Sequence, residues 1–212
     1  ESDAGNQPHP YRAVIPGLPA NTARPLWSVM IPTYHCAAYL QETLAGVLAQ
    51  DPGPALMQIE VVDDHSTRDD PARVVAEIGR GRVGFYGQPE NVGHIKNFET
   101  CLKRARGELL HLLHGDDGVC DGFYQKMQQG FERRSDIGAA FCRQIFMDEH
   151  GRQFGISPLE QVKSGILNNG LARLAAEQRI MTPSIVVRRH AYERLGGFDA
   201  RLICAEDWEM WV

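Results

Sequence analysis

What this sequence lacks narrows it first. No apolar run approaches the roughly 18 residues that a membrane-crossing helix needs; the longest are strand-sized. A basic excess is missing too: 22 Lys and Arg face 27 Asp and Glu, for a formal net charge of −5. That balance offers no footprint for nucleic acid, whose binders are usually basic. The five cysteines, Cys36, Cys101, Cys120, Cys142 and Cys204, form no Cys-x-x-Cys pair. Their scatter speaks against zinc ribbons and disulfide scaffolds and fits a reducing cytoplasm, each thiol being read as a small buried apolar group. A Walker phosphate loop is absent, and so is the Gly-x-Ser-x-Gly turn of serine hydrolases. The Gly-x-Gly-x-x-Gly dinucleotide fingerprint is likewise not expected. No signal peptide or initiator Met opens the chain, and it ends on a helical pattern, so it reads as a piece of something longer.

What is present is ordinary globular composition, 43% hydrophobic and 23% charged over 212 residues, enough for one α/β domain. Residues 1 to about 25, rich in Pro, Gly, Asn and Ala, read as a linker or extended strap. Beyond them the apolar period keeps switching. Residues 28–31 are a short apolar run stopped by Pro32, and Leu40, Leu44, Val47 and Leu48 then fall at helical spacing. Residues 59–62 are strand-like, and 71–78 read as a short helix with Pro in its first turn. Residues 83–86 make a third strand. A helix over about 94–104 carries Ile95, Phe98 and Leu102 on one face, and the Leu-rich 108–113 is a strand buried on both sides. Strands starting near 28, 59, 83 and 108, with helices between, predict β-α-β units and an open parallel sheet. The second half is less regular. It suggests a helix through Phe123, Met127 and Phe131, a strand over 137–142 and a hairpin turning at 148–151. A helix through Leu167, Leu171, Leu174 and Ala175, a strand over 184–187 and a short helix ending at Gly196-Gly197 complete it.

Open α/β sheets bind ligands beyond the carboxyl ends of their strands, where the strand order reverses. Here the first strand runs into Pro32-Thr33-Tyr34, the second into Asp63-Asp64 and the fourth into His114-Gly115-Asp116-Asp117. Carboxylates converging on one crevice suit a divalent cation held with a nucleotide. Asp116 and Asp117, pinned by a rigid strand, are ligands for Mg²⁺ or Mn²⁺ or else cap the next turn. Asp63 and Asp64 serve equally as pocket groups or as a helix N-cap. His111 is read as a satisfied buried polar group. Near the C-terminus, the acidic cluster Glu206-Asp207-Trp208-Glu209 is either a helix start favoured by the dipole or the seat of a general base. A sugar hydroxyl is a weak nucleophile, and such a base accepts its proton during attack.

Six segments in order carry a resemblance: 28–34 (SVMIPTY), 59–67 (IEVVDDHST), 90–93 (ENVG), 114–117 (HGDD), 196–199 (GGFD) and 206–208 (EDW). Together they resemble family 2 of the glycosyltransferases, over about residues 27–212. The resemblance implies the GT-A fold: a Rossmann-like, mostly parallel sheet with helices on both faces and a smaller mixed acceptor-side region. It divides the chain into 1–25 and a catalytic domain 26–212, with a nucleotide-binding half to about 121 and an acceptor half from 122 that continues past this chain in many relatives. It implies inverting sugar transfer from a nucleotide-diphosphate donor, a UDP-sugar most often, to a saccharide or lipid-linked acceptor. Bacterial surface polysaccharide is one setting, in the cytoplasm or peripherally at the inner membrane face.

By position, Thr33 and Asp64 would line the nucleoside pocket, Asp116 would hold Mn²⁺ or Mg²⁺ against the diphosphate, and Asp207 would be the catalytic base. His114 stands where the first acid of the metal motif usually is, on the nucleotide, and implies a weaker grip on the metal. His35 replaces the customary Asn and His65 the customary Gly. Lys96, just after the Gly93 turn, is a phosphate contact or part of a solvated face, and His94 shares that place. Two other readings remain: a nucleotide-sugar-binding module without turnover, and a nucleotidyltransferase, for which no basic triphosphate loop comes after the first strand.

Overall fold

Alternation along the first strand decides how the chain layers. In the computed structural model, which describes residues 9–212, β1 (Trp27–Thr33) is buried at every position. Trp27, Val29 and Ile31 point to one face and Met30 to the other, as the two-residue period of a strand requires. The next strand, β2 (Met57–Asp63), repeats the pattern, with Met57, Ile59 and Val61 on the first face and Val62 on the second. A strand apolar on both faces needs cover on both. The helices α1 (Ala37–Leu48) and α2 (Pro71–Gly79) cover the first face and α3 (His94–Arg104) the second. Leu40, Leu44 and Val47 of α1 are fully buried, each stabilising by about 1.5–3 kcal/mol relative to exposure.

β3 (Gly84–Gly87) pairs parallel with β2, and β4 (Leu109–Leu112) parallel with β1. After α4 (Phe123–Arg133) on the first face come β5 (Ala139–Phe141) and a separate antiparallel hairpin, β6 (Ile145–Met147) with β7 (Gln153–Ile156). Asp148 turns that hairpin by accepting from the backbone N–H groups of His150 and Arg152. The short α5 (Gly170–Ala176) comes next, then β8 (Ile185–Arg188), α6 (Arg189–Leu195) and α7 (Glu206–Trp211). β8 runs antiparallel between β4 and β5, giving the order β3-β2-β1-β4-β8-β5. The central sheet is therefore mostly parallel with helices on both faces, and its order reverses between β1 and β4.

Gly107 shows how closely the layers meet. A Cβ there would lie 2.4 Å from the backbone N of Ser28 and from the carbonyl C of Trp27. The Gly107 N–H instead donates to Ser28 Oγ at 2.7 Å, which locks the entry to β4 against β1.

Several expectations need correction. Only Cys36 and Cys101 are buried; Cys120, Cys142 and Cys204 are exposed, because they sit in turns and at a strand end, not on the packed faces. Neither Asp63 nor Asp64 caps α2, since Asp70 does, through Arg73 N at 2.9 Å. The helix through Leu167 and Leu171 shortens to seven residues and buries none of them. The spacing Gly79-x-Gly81-x-x-Gly84 does occur, but it joins the end of α2 to β3. A dinucleotide loop needs the reverse order, strand into helix. Of the strap, 1–8 lie outside the described residues; within 9–25, Ile15 packs into the second face, only 2% exposed.

His111 sits fully buried on the first face against Phe123 and Tyr124 of α4. Its Nε2 is 2.9 Å from the Pro183 carbonyl, which can only accept, so the proton sits on Nε2 and Nδ1 accepts from Tyr124 Oη–H at 3.2 Å. Burial pushes this imidazole down to about 4. Unfolded histidine titrates near 6.5. Between those values the unfolded chain binds a proton that the folded chain refuses, so stability falls as pH drops through that window. About 2 kcal/mol should be lost between pH 7 and pH 5 from this group. Denaturant titrations at the two pH values, compared with His111→Asn, read it as the difference in pH slope.

Candidate active site

The strand-order reversal opens a cavity of about 610 Å³ at the carboxyl ends of β1 and β4, where open α/β sheets place ligands. Thr33, Asp64, His114, Asp116 and Asp207 all line it. Lys96 does not: it is exposed on α3, whose inward face is taken by Ile95, Phe98 and Leu102. His94, at the start of the same helix, lines the cavity instead.

At one end the loop after β2 is tied down by its own carboxylates. Asp63 accepts from Thr33 Oγ1 at 3.0 Å, and from Ser66 N at 2.7 Å and Ser66 Oγ at 2.6 Å. Asp64, 3% exposed, accepts from Val92 N at 2.7 Å, Gly93 N at 2.9 Å and Asn91 Nδ2 at 3.1 Å. The Asn91–Gly93 turn is thus folded around the Asp64 carboxylate. His35 and His65 carry φ of 53° and 61°, a left-handed conformation that histidine tolerates better than most residues with a Cβ. Asn and Gly tolerate it best.

In the middle stands the β4 carboxyl end. A Cβ on Gly115 would lie 2.5 Å from Thr33 Cγ2 and 2.8 Å from Cys36 Sγ, so glycine alone lets this turn press against β1. It carries His114, Asp116 and Asp117, whose donor atoms lie within 4.8 Å of one another. Phe98 stacks on the His114 ring at 5.3 Å and 15°, and His114 Nδ1 is 3.4 Å from Asp117 Oδ2. The buried Nε2 of His114 has no hydrogen-bond partner, and Asp116 is exposed to the cavity. One imidazole nitrogen and two carboxylates fit a divalent cation. They suit Mn²⁺ better than Mg²⁺, which favours an all-oxygen shell.

The remaining wall comes from the second half. Asp207 accepts from Gln178 Nε2 at 3.0 Å on both oxygens, from its neighbour Trp208 N at 2.7 Å and from Thr182 Oγ1 at 3.4 Å. Beside it Glu206, 9% exposed, meets His94 Nε2 at 3.0 Å through Oε1, while its buried Oε2 has no partner. Gln178 and Thr182 escape sequence reading, because they belong to no motif and no periodic run. Cys36 also lines the cavity, but burial, with the nearby Asp116, Asp69 and Asp63, pushes its thiol up to about 11. It is a neutral thiol at physiological pH and no nucleophile.

The mostly parallel sheet with helices on both faces and the carboxylate-bearing turn after β4 make this a GT-A fold, the fold it shares with solved glycosyltransferases. This chain belongs to glycosyl transferase family 2, whose sequence pattern matches residues 28–196. An uncharacterized protein of Mycobacterium tuberculosis, MT1568, is 34% identical over 142 residues, covering 64% of this chain and 43% of the relative. Among solved structures, residues 1–349 of S. aureus TarS in complex with UDP-GlcNAc superpose with a TM-score of 0.67 at 23% identity, covering 87% of this chain and 52% of that one. A mannosyltransferase of Pyrobaculum calidifontis in complex with GDP-Man and Mn²⁺ gives 0.63 at 20% identity, covering 95% and 54%. The chain thus spans less than half the length of the first curated relatives it matches. No described helix is long and apolar enough to cross a membrane.

Proposed function

We propose that this chain carries the donor site and the catalytic base of an inverting glycosyltransferase that uses a nucleoside-diphosphate sugar, a UDP-sugar first among them. The observation that carries this reading is convergence: Asp64, Asp116 and Asp207, from three separate elements, line one cavity large enough for such a donor. Thr33 and the loop folded around Asp64 form the nucleoside end. His114, Asp116 and Asp117 would hold Mn²⁺ or Mg²⁺, which when bound supplies positive charge against the diphosphate. Asp207, oriented by Gln178 and Thr182, accepts the proton of an acceptor hydroxyl as it attacks the anomeric carbon. One base and one leaving group make a single displacement, and a single displacement inverts. The acceptor is a saccharide hydroxyl, free or on a lipid or other carrier.

Calorimetric titration of UDP with and without Mn²⁺, then transfer and donor-hydrolysis assays with UDP-sugars, tests the reading. Mn²⁺-strengthened UDP binding and product of inverted configuration are expected. Retained configuration would overturn the mechanism, and binding of GDP or dTDP in place of UDP would reassign the donor. The histidine in the metal motif favours a second reading, a nucleotide-sugar-binding module. Tight UDP-sugar binding with neither transfer nor hydrolysis in the intact protein would establish it.

A further inference from the structure

The segment before β1 does more than lead into the domain. Its Ile15 is buried among the second-face core, and Pro16 O accepts from the fully buried Arg189 at 2.9 Å. Ahead of that anchor, Ala13 O accepts from Gly197 N at 2.8 Å and Tyr11 O from Ala200 N at 3.1 Å. Arg12 forms an antiparallel bridge with Asp199. The guanidinium of Arg12, 11% exposed at its side chain, grips both oxygens of Glu209 at 2.6 Å and reaches Met210 Sδ. The strap therefore joins the core to the 196–200 turn and to the helix that carries Asp207.

That helix, α7, has six residues, far short of the length at which a helix holds itself in water. Its rotation about its own axis is set from outside. At 100° per residue, Asp207 and Glu209 lie about 200° apart on the helix, so Asp207 faces the cavity while Glu209 faces the strap. On the cavity side the hold is neutral hydrogen bonding from Gln178 and Thr182. Trp208 Nε1 bonds the Leu174 carbonyl, and Trp211 packs edge-on against Phe198 at 6.0 Å. Among the described residues, the one charge-paired grip on α7 from a segment distant in sequence, apart from the His94 contact to Glu206, is Arg12 on Glu209. Turning α7 by a fraction of one residue would swing Asp207 off its line to the acceptor.

We infer that the strap is a working part of the site and that Arg12 is a positioning residue: by holding Glu209 it fixes the rotation of α7 and aims Asp207. The inference rests on the reading of Asp207 as the base. In the intact protein, Arg12→Ala, Glu209→Gln, the exchange Arg12→Glu with Glu209→Arg, and Asp207→Asn are compared for kcat, donor KM, UDP affinity and melting temperature. Arg12→Ala is expected to lower kcat roughly 10- to 30-fold, the scale of a sub-ångström misplacement, with UDP affinity within about twofold because no donor-side group is touched. The charge exchange is expected to recover most of that kcat. Unchanged kcat in Arg12→Ala, or a joint fall of kcat, UDP affinity and melting temperature that the exchange does not repair, overturns the inference. If Asp207→Asn is inactive while Arg12→Ala is normal, only the strap inference falls; if Asp207→Asn turns over normally, the base assignment falls first.

Discussion

Replacing Asp207 by Asn is expected to lower kcat for sugar transfer by about 10²- to 10⁴-fold, the range in which a positioned general base contributes, while leaving UDP binding intact. The substitution changes one proton-accepting oxygen into an amide and little else. Gln178 now donates to both Asp207 oxygens. In the variant the remaining Oδ1 keeps one of those bonds, and the new amide donates to Thr182 Oγ1, which the aspartate now accepts from. The first turn of α7 and the Trp208 N–H contact to Oδ1 survive. What is lost is basicity, so a hydroxyl must attack with its proton in place. Transfer assays at saturating donor, with calorimetry for UDP, separate the two parts. Loss of UDP binding together with turnover would mean that Asp207 holds the nucleotide, and unimpaired transfer would remove it from the chemistry.

The parallel half of this fold is legible in the sequence because all its strands but the edge strand β3 are buried on both faces, with one-sided helices between them. β1, β2 and β4 are buried at every position, so each carries a short, strongly apolar stretch. The second half resists for the same physical reason inverted. The strand read over 137–142 and the helix read through Leu167 and Leu171 both form but come out shorter, because β5 is only partly covered and α5 buries none of its residues.

The site divides along similar lines. Thr33, Asp64, His114 and Asp116 are placed by the sheet, and their position at or just beyond a strand's carboxyl end makes them readable. Gln178 and Thr182 reach Asp207 only because β8 folds back antiparallel beside β4, a pairing that no local pattern announces. Of the two readings of Lys96, the structure places it on an exposed face of α3. It comes one residue after Ile95 and two before Phe98, and both of those are buried, which turns Lys96 to the outside. Composition marks residues 1–25 as linker or strap. It does not reveal that the strap's carbonyls pair with the 197–200 turn.

Asp116 carries the second large effect. In Asp116→Ala, the gain in UDP affinity produced by Mn²⁺ should disappear, by about 100-fold or more, while the metal-free affinity stays within about twofold. The scale comes from the cost of disturbing groups one shell further out, which already reaches 10–100-fold in metal affinity; a direct ligand costs at least as much. His114 and Asp117 cannot make up the loss. Their side chains already approach each other at 3.4 Å, and Asp117 is not among the residues lining the cavity, so of the two carboxylates Asp116 is the one that faces the cavity. The alanine leaves the fold alone, because Asp116 is exposed and the turn is held through Gly115 N to the Pro32 carbonyl at 3.0 Å and by Thr43 on the Gly115 and Asp117 carbonyls. With imidazole in the set, Mn²⁺ should strengthen UDP binding in the unaltered protein more than Mg²⁺ does. Mn²⁺ dependence that persists in the variant would place the cation on other residues. Equal loss with and without metal would make Asp116 a direct contact to the nucleotide, and the reading of the β4 turn as a metal-bearing element would have to be given up.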